Sequence, residues 1–297
     1  MILEQLAGNL LQGLVLGAVY GVATMGLSLI FGVLKVVNVG HGAFIMVGAY
    51  TALILFSSFG ISPIFSVFVA FLVGLLLGFV IYITTINKLL KAPELSTLLA
   101  TFSFGVILEE VVKQIFTSES RGFSWTLGKL DVGFTVLPYS KILAFAGSII
   151  VAILLYLWFN KTRAGTAMRS VVEDDRGAMV CGVNVAWQYT LSFSLGIGIT
   201  VMSGALLTMF IPVGINPYMG GSYTLKAFVI AVLGGLSSPY GAFFGGLIFG
   251  LVENGSYTLF ASIPWLEPFA MTRFLSFVVL LVILLIKPTG LFGRKNA

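Results

Sequence analysis

Residues 10–33 read LLQGLVLGAVYGVATMGLSLIFGV and contain no charged side chain. An α-helix needs about 20 apolar residues to cross the hydrocarbon core of a bilayer, and this stretch meets that requirement. Similar apolar blocks recur along the whole chain, at roughly 41–59, 63–86, 95–117, 142–159, 189–211 and 269–287. The sequence therefore predicts an all-α fold, a polytopic transmembrane helix bundle in which residues 1–297 form a single domain.

The composition excludes a water-soluble globule. Of the 297 residues, 58% are hydrophobic and 9% are charged, whereas soluble domains carry about 25% charged residues. The net charge of +5 is spread thinly between the apolar blocks, and a nucleic-acid-binding protein gathers its basic residues into a patch. One cysteine, Cys181, excludes an intrachain disulfide, and one histidine, His41, excludes a multi-histidine metal site.

Residues 224–252 differ from the other blocks, because two apolar halves are separated by LSSPYG at 236–241. Each half is short for a full crossing. The pattern is typical of two tilted spans or of a broken helical hairpin that turns inside the membrane. Non-helical backbone at that depth is tolerated only inside protein or beside a watery cavity, and we favour the hairpin beside a cavity. The bundle then has about eight to nine membrane segments.

Basic residues near span ends indicate the orientation. Three regions that share one side by parity carry them, namely Lys88 with Lys91, then Lys161, Arg163, Arg169 and Arg176, then Lys287, Arg294 and Lys295. The opposite loop, 118–141, carries Arg121, Lys129 and Lys141, but three regions outweigh one. We expect the N-terminus outside and the C-terminus in the cytoplasm of a multi-pass protein of the cell (inner) membrane.

Glycine recurs at every fourth position in several spans. The repeats are Gly13, Gly17 and Gly21, then Gly74 with Gly78, Gly241 with Gly245, and Gly246 with Gly250. Residues four apart lie on one face of a helix, and glycine there lets two backbones approach closely. The repeats predict tight helix packing, and smooth surfaces of this kind also allow helices to slide or rock.

Residues 160–188 are the most charged part of the chain. Ala167, Val171 and Ala178 lie near helical spacing, which predicts one or two short surface helices that end near Gly182. Charged residues surround them, namely Arg169, Glu173, Asp174, Asp175 and Arg176. We interpret the segment as a docking element with apolar anchors inside a charged rim; the alternative is a solvated loop whose charges only set topology.

Polar groups interrupt the apolar spans at two places. Asn38 and His41 lie where one span passes into the next, so they either mark a pathway or bond backbone groups at the interface. Glu109 and Glu110 precede Lys113 on one helix, so a local ion pair is available. The carboxylates are either an interfacial pair reaching water or a contact for a substrate ammonium.

No motif of a catalytic site or of a phosphate-binding loop is present in the sequence. If ATP drives this protein, another polypeptide must bind it. The sequence therefore favours a protein for solute passage that is not an enzyme.

The chain resembles the LivH-type permease subunits of ABC importers for branched-chain amino acids through an ordered set of stretches. These are VNVGHG at 37–42, MVGAY at 46–50, residues 173–185 ending in CGVNV, LKAF at 225–228, VLGGL at 232–236, Gly241-Ala242 with Gly245-Gly246, GLVE at 250–253, and KPTGLF at 287–292. One departure is LSSP at 236–239, where the family often has glycine before serine. Sister permeases for urea or short amides share these motifs.

The resemblance implies a permease that pairs with a related LivM-like permease or a second copy, with two cytoplasmic ATPases that bind the ATP and magnesium, and with an extracytoplasmic binding protein. It also implies that 160–188 is the coupling loop seated on an ATPase. Near the translocation path it places Asn38, His41, Gly234, Gly235, Ser237 and Ser238. Glu109 is a further candidate for this path, because of its own position inside an apolar span.

On this interpretation, ATP binding in the partners drives alternating access around a cavity at the subunit interface. Most spans lack charge, so we expect selectivity to reside mainly in the external binding protein. Two other interpretations stay open: an ion-coupled secondary transporter that uses Glu109 or Glu110, and a passive channel for a small neutral solute such as urea.

Overall fold

The computed structural model describes residues 2–211, 213–263 and 265–293. Arg294 and Lys295, used above for the orientation, lie outside the described residues. The long helices are α1 (Ile2–Leu34), α2 (His41–Phe59), α3 (Pro63–Ile81), α5 (Glu94–Phe116), α6 (Tyr139–Lys161), α9 (Val185–Phe210), α10 (Met219–Gly234), α11 (Pro239–Ala261) and α12 (Pro268–Ile286). The short helices are α4 (Asn87–Leu89), α7 (Arg163–Glu173) and α8 (Asp175–Val180), and a π-helical stretch, Tyr82–Ile86, joins α3 to α4.

Within the described residues, seven helices are long and apolar enough to cross a membrane, and α10 with α11 form a bent pair that also qualifies. The predicted all-α bundle and its spans are thus confirmed. Most residues of α1 and α9 are buried, whereas fewer than a third of the residues in the apolar spans of α3, α5, α6 and α12 are buried. The core is therefore the central pair of helices, and the outer helices offer the apolar faces that lipid requires.

Short strands lie at one end of the bundle, which we call the strand end. Strand β1 (Arg121–Gly122) pairs with β4 (Val213–Ile215), and β2 (Lys129–Asp131) pairs with β3 (Val136–Pro138); both pairings are antiparallel. The sequence predicts only a loop at 118–141. Strands of two or three residues are too short for an alternating pattern to reveal them.

The opposite end, which we call the charged end, holds α4, α7, α8 and the segment after α12. Next to α4, the Tyr82 ring lies 5.9 Å from that of Phe193 near the start of α9. The segment after α12 bonds to the end of α10, since the Leu291 amide donates to the Leu233 carbonyl at 2.8 Å. The described residues of the three predicted basic regions therefore lie at the same end of the bundle. The side of the membrane that this end faces stays a prediction.

The glycine repeats of α1 and α11 pack against each other. A Cβ atom on Gly13 would lie 2.5 Å from the Gly250 carbonyl oxygen, and one on Gly17 would lie 2.6 Å from that of Gly246. Side chains there would force the helices apart, so only glycine permits this approach. Gly74 and Gly78 pack in the same way on α9, and the prediction of tight packing is confirmed.

The break between α10 and α11 lies at the charged end. The chain bends by 113° between the axes of the two helices. A Cβ atom on Gly32, near the end of α1, would lie 3.1 Å from the Ser237 carbonyl oxygen, and Tyr240 bonds to Asn160 near the end of α6. Of the two interpretations of 224–252, these contacts favour two tilted spans that turn at the end of the bundle. The hairpin that turns at mid-depth, which we favoured from the sequence, does not fit them.

Candidate functional site: an interior junction and a docking element

The non-helical backbone that does enter the bundle is residues 35–40. Helix α1 ends at Leu34, and the next residue, Lys35, has φ +58°, a conformation uncommon outside glycine that turns the chain back. The amide of Val39 donates to the Thr101 hydroxyl, and that hydroxyl lies 3.2 Å from the Val37 carbonyl oxygen. Thr101 is about 10 Å along α5 from its start at the charged end, so the segment runs back into the bundle.

This segment delivers Asn38 and His41 to an interior junction. Both side chains have 0% exposure. Beside them, the Gly42 amide donates to the Thr224 hydroxyl at 2.8 Å, and a Cβ atom on Gly42 would overlap the Gly220 carbonyl oxygen. The first turns of α2 and α10 therefore meet here. Both side-chain amide atoms of Asn38 lack a hydrogen-bond partner, whereas the His41 ring lies beside the backbone of Ala23.

Such orphan atoms are rare in native interiors and call for a specific explanation. The two orphan atoms of Asn38 lie where two helix starts and the non-helical segment 35–40 converge. Chemically, the junction offers donors and acceptors to water or to a polar solute inside an apolar bundle.

The other predicted path residues lie elsewhere. Gly234, Gly235, Ser237 and Ser238 belong to the turn at the charged end, where Ser238 caps α11 by accepting from the Gly241 amide at 3.1 Å. This turn is about 21 Å along α10 from Gly220 and the junction. Glu109 is half-buried toward the strand end of α5. The ion pair available on α5 forms between Lys113 and Glu110 at 3.0 Å. Their roles in transport stay predictions.

The 160–188 segment folds as two short helices, as predicted. Thr162 caps α7 and Asp174 caps α8, each accepting a backbone amide. Helix α8 ends with Gly182 at φ +82°, and the Val183 amide donates to the Ala178 carbonyl at 3.0 Å. This is the Schellman arrangement, in which a left-handed glycine closes the helix.

The predicted apolar anchors of this segment require a correction. Val171 and Ala178 are each 4% exposed and belong to the protein's own core, and Ala167 is half-buried. They hold α7 and α8 onto the bundle and are not available to a partner. The exposed apolar residues are instead Met179 (62%) and Val180 (89%).

Charged side chains surround this apolar tip. Glu173, Asp174, Asp175 and Arg176 are all exposed. Arg169 points the other way, since its guanidinium donates to the Phe159 carbonyl oxygen and lies 5.7 Å from the Phe159 ring centroid. Arg169 therefore ties α7 to α6, and the four charges around Met179 and Val180 form the accessible rim.

Sequence reasoning missed one pair of residues inside the bundle. Lys226 on α10 and Glu253 on α11 form an ion pair with an Nζ–Oε1 distance of 2.6 Å. Each is a lone charge in an apolar block, and they flank the 236–241 break. A turn at that break brings the two charges together. Two opposite lone charges on either side of a predicted turn could therefore have indicated the ion pair.

Buried helices around an interior polar junction and apolar outer faces define a multi-pass membrane protein. Residues 9–284 match the family described as the permease component of branched-chain amino acid transport systems. The chain belongs to that family, and the predicted LivH-type resemblance is confirmed.

Individual relatives match over nearly the whole chain. The LivH permease of Salmonella typhimurium is 27% identical over 304 residues, which cover 97% of this chain and 96% of that protein. BraD of Pseudomonas aeruginosa is 27% identical over 302 residues, with the same coverage. The probable LivH of Methanocaldococcus jannaschii is 28% identical over 280 residues, covering 91% of this chain and 87% of its own. No solved structure shows significant similarity.

Proposed function

We propose that this chain is a membrane-spanning subunit of an ATP-driven importer for branched-chain or other hydrophobic amino acids. An extracytoplasmic binding protein delivers the solute, and two cytoplasmic ATPases bind ATP and magnesium, so the chain itself is not an enzyme. A LivM-like permease or a second copy completes the pore. The charged end faces the cytoplasm of a cell whose inner membrane holds the complex.

The observation that carries the proposal is the apolar tip of Met179 and Val180 inside its charged rim. Fully exposed apolar side chains in water are costly, and each buried CH₂ group contributes about 0.8 kcal/mol. A desolvated centre within a polar rim is the common anatomy of a protein interface. An ATPase seated on this tip gives the exposed residues their partner.

A chain of contacts supports the transmission of movement from this tip. Arg169 fixes α7 to Phe159, and the Phe159 ring lies 6.2 Å from that of Tyr240 on α11. Tyr240 stands at the turn between α10 and α11. Displacement of the docking element therefore acts on α10 and α11. Helix α10 packs against α2, and α2 starts at the Asn38–His41 junction. We propose that ATPase closure rocks this pair and opens the junction alternately to each side.

Copurification with the ATPase subunits tests the docking assignment. Val180→Asp places a charge in the centre of the apolar tip, and we expect it to abolish copurification and ATP hydrolysis stimulated by the loaded binding protein. For copurification, Val213→Asp is the matched control, because Val213 is also a highly exposed valine (68%) but lies at the strand end, away from the ATPases. Unchanged copurification of the Val180 variant would remove the basis of the proposal.

A further inference from the structure

Lys226 and Glu253 form a charged cluster with two tyrosines. The Lys226 Nζ lies 2.6 Å from Glu253 Oε1 and donates to the Tyr20 hydroxyl at 2.9 Å. It also lies 4.8 Å from the Tyr20 ring centroid and 5.7 Å from that of Tyr223. Aromatic faces attract a cation most strongly where water is scarce. The cluster joins α1, α10 and α11.

The cluster lies at membrane depth. Lys226 is about 12 Å along α10 from the turn at the charged end, and Glu253 is about 21 Å along α11 from it, within a hydrocarbon core of about 30 Å. Ionisable groups at such depth are costly and mark substrate or ion pathways. Tight packing alone gives no reason to keep two charges here.

Both members of the pair retain unused hydrogen-bonding capacity. An ammonium carries three donors, of which Lys226 directs one to the Tyr20 hydroxyl while its Nζ forms an ion pair with Glu253. Glu253 Oε2 has no hydrogen-bond partner. The Lys226 and Glu253 side chains are 26% and 18% exposed, although the Oε2 atom itself is buried. A spare cationic donor therefore lies beside a spare anionic acceptor.

A cleft at the strand end lies next to this cluster. It has a volume of about 320 Å³ and is lined by the end of α9, by β4 and by the first two turns of α10 as far as Tyr223. Volumes of about 300 Å³ and above are typical of small-ligand sites. Tyr223 belongs to both the cleft and the cluster, since it lines the cleft and its ring centroid lies 5.7 Å from Lys226 Nζ.

We propose that Lys226 and Glu253 recognise the zwitterionic head group of the transported amino acid, a role that rests on the proposed function. The α-carboxylate accepts from Lys226 and the α-ammonium donates to Glu253, so the solute inserts between the two charges and replaces their mutual contact. Specificity for α-amino acids is then set partly by the permease and not solely by the binding protein.

The competing role for the pair is purely structural, and a double substitution separates the two. Replacing a buried ion pair with neutral residues is often neutral or stabilising, whereas removing one partner is not. The test uses the complete importer in proteoliposomes with Lys226→Met/Glu253→Gln. Three quantities are measured: the Tm, ATP hydrolysis stimulated by the leucine-loaded binding protein, and leucine uptake per ATP.

We expect the double variant to keep its Tm and its stimulated hydrolysis while uptake per ATP falls at least about ten-fold, the loss expected when charge-assisted hydrogen bonds to the solute disappear. The matched control, Glu110→Gln/Lys113→Met, neutralises the ion pair on α5 and should retain uptake. Uptake within two-fold of wild type in the Lys226/Glu253 double variant overturns the proposal. Absence of ATP-dependent leucine uptake in the wild-type complex instead overturns the proposed function.

A second variant covers the case in which the double substitution does not assemble. Lys226→Arg keeps both charges, but the planar guanidinium pairs with both carboxylate oxygens of Glu253 and takes up the spare acceptor. We expect its Tm to equal or exceed that of wild type while leucine uptake per ATP falls. Full uptake by this variant means that the pair is structural.

Discussion

The side-chain amide of Asn160 donates a hydrogen bond to the Tyr240 hydroxyl at 2.9 Å. This bond joins the last turn of α6, where the docking element begins, to the first turn of α11. The Tyr240 ring also lies 5.1 Å from that of Tyr156 on α6. A hydrogen bond of this kind contributes about 1 kcal/mol, so it links two elements that must move together without locking them.

Removal of this link should uncouple hydrolysis from transport. Tyr240→Phe deletes only the hydroxyl, and we expect leucine uptake per ATP to fall by a factor of about five, which corresponds to roughly 1 kcal/mol. Tyr156→Phe is the control, because it keeps the ring contact and leaves the Asn160–Tyr240 bond in place. Equal uptake per ATP in both variants would contradict the transmission route.

The orientation can be measured on the wild-type chain. Cys181 is the single cysteine, and it is exposed beside the apolar tip. A membrane-impermeant maleimide should label it in inside-out vesicles and not in intact cells, because the charged end is expected in the cytoplasm. Addition of the ATPase subunits should then protect it. Labelling of intact cells would reverse the predicted topology.

The contact between α1 and α11 should tolerate no side chain. Gly17→Leu directs atoms at the Gly246 carbonyl oxygen, and overpacking of this kind costs about 1–3 kcal/mol or more. We expect a clear drop in the Tm of the detergent-solubilised protein. Gly221→Ala is the control, because a Cβ atom there meets nothing within 4 Å. A similar Tm for the two variants would show that the close approach is not needed.

At the interior junction, stability and transport should respond in opposite directions. Asn38→Leu removes a buried amide that lacks a partner, and an unsatisfied polar group costs about 1–3 kcal/mol. We expect the Tm to hold or rise while leucine uptake falls, because the amide serves water or solute and not the fold. A lower Tm with normal uptake would assign Asn38 a structural role.

The spans were predictable because a run of apolar residues long enough to cross a bilayer rarely forms any structure other than a transmembrane helix. The glycine repeats predicted close packing, but nothing in a repeat says which helix is the partner, so the pairing of Gly17 with Gly246 came only from the structure. Val171 and Ala178 were assigned to a partner interface since an apolar stripe on a short helix fits a partner or its own bundle equally well.

Local sequence pattern did not reveal two features of the interior. These are the position of residues 35–40 and the Lys226–Glu253 pair. Periodicity distinguishes helix from strand, but it carries no information on depth, so the return of Asn38 to the interior was not evident. The ion pair depends on the turn between α10 and α11. That turn was recognised from LSSPYG, but its place at the end of the bundle follows from long-range contacts of Ser237 and Tyr240.

The central claim is that this chain moves amino acids only as part of an ATP-driven complex. The most direct measurement is uptake of radiolabelled leucine into proteoliposomes that contain the chain, its permease partner and the ATPases, with the binding protein added outside and ATP inside. We predict accumulation that needs every component, persists with a protonophore, and does not occur with urea. Uptake by the chain alone, or uptake that the protonophore abolishes while ATP is maintained, would contradict the account.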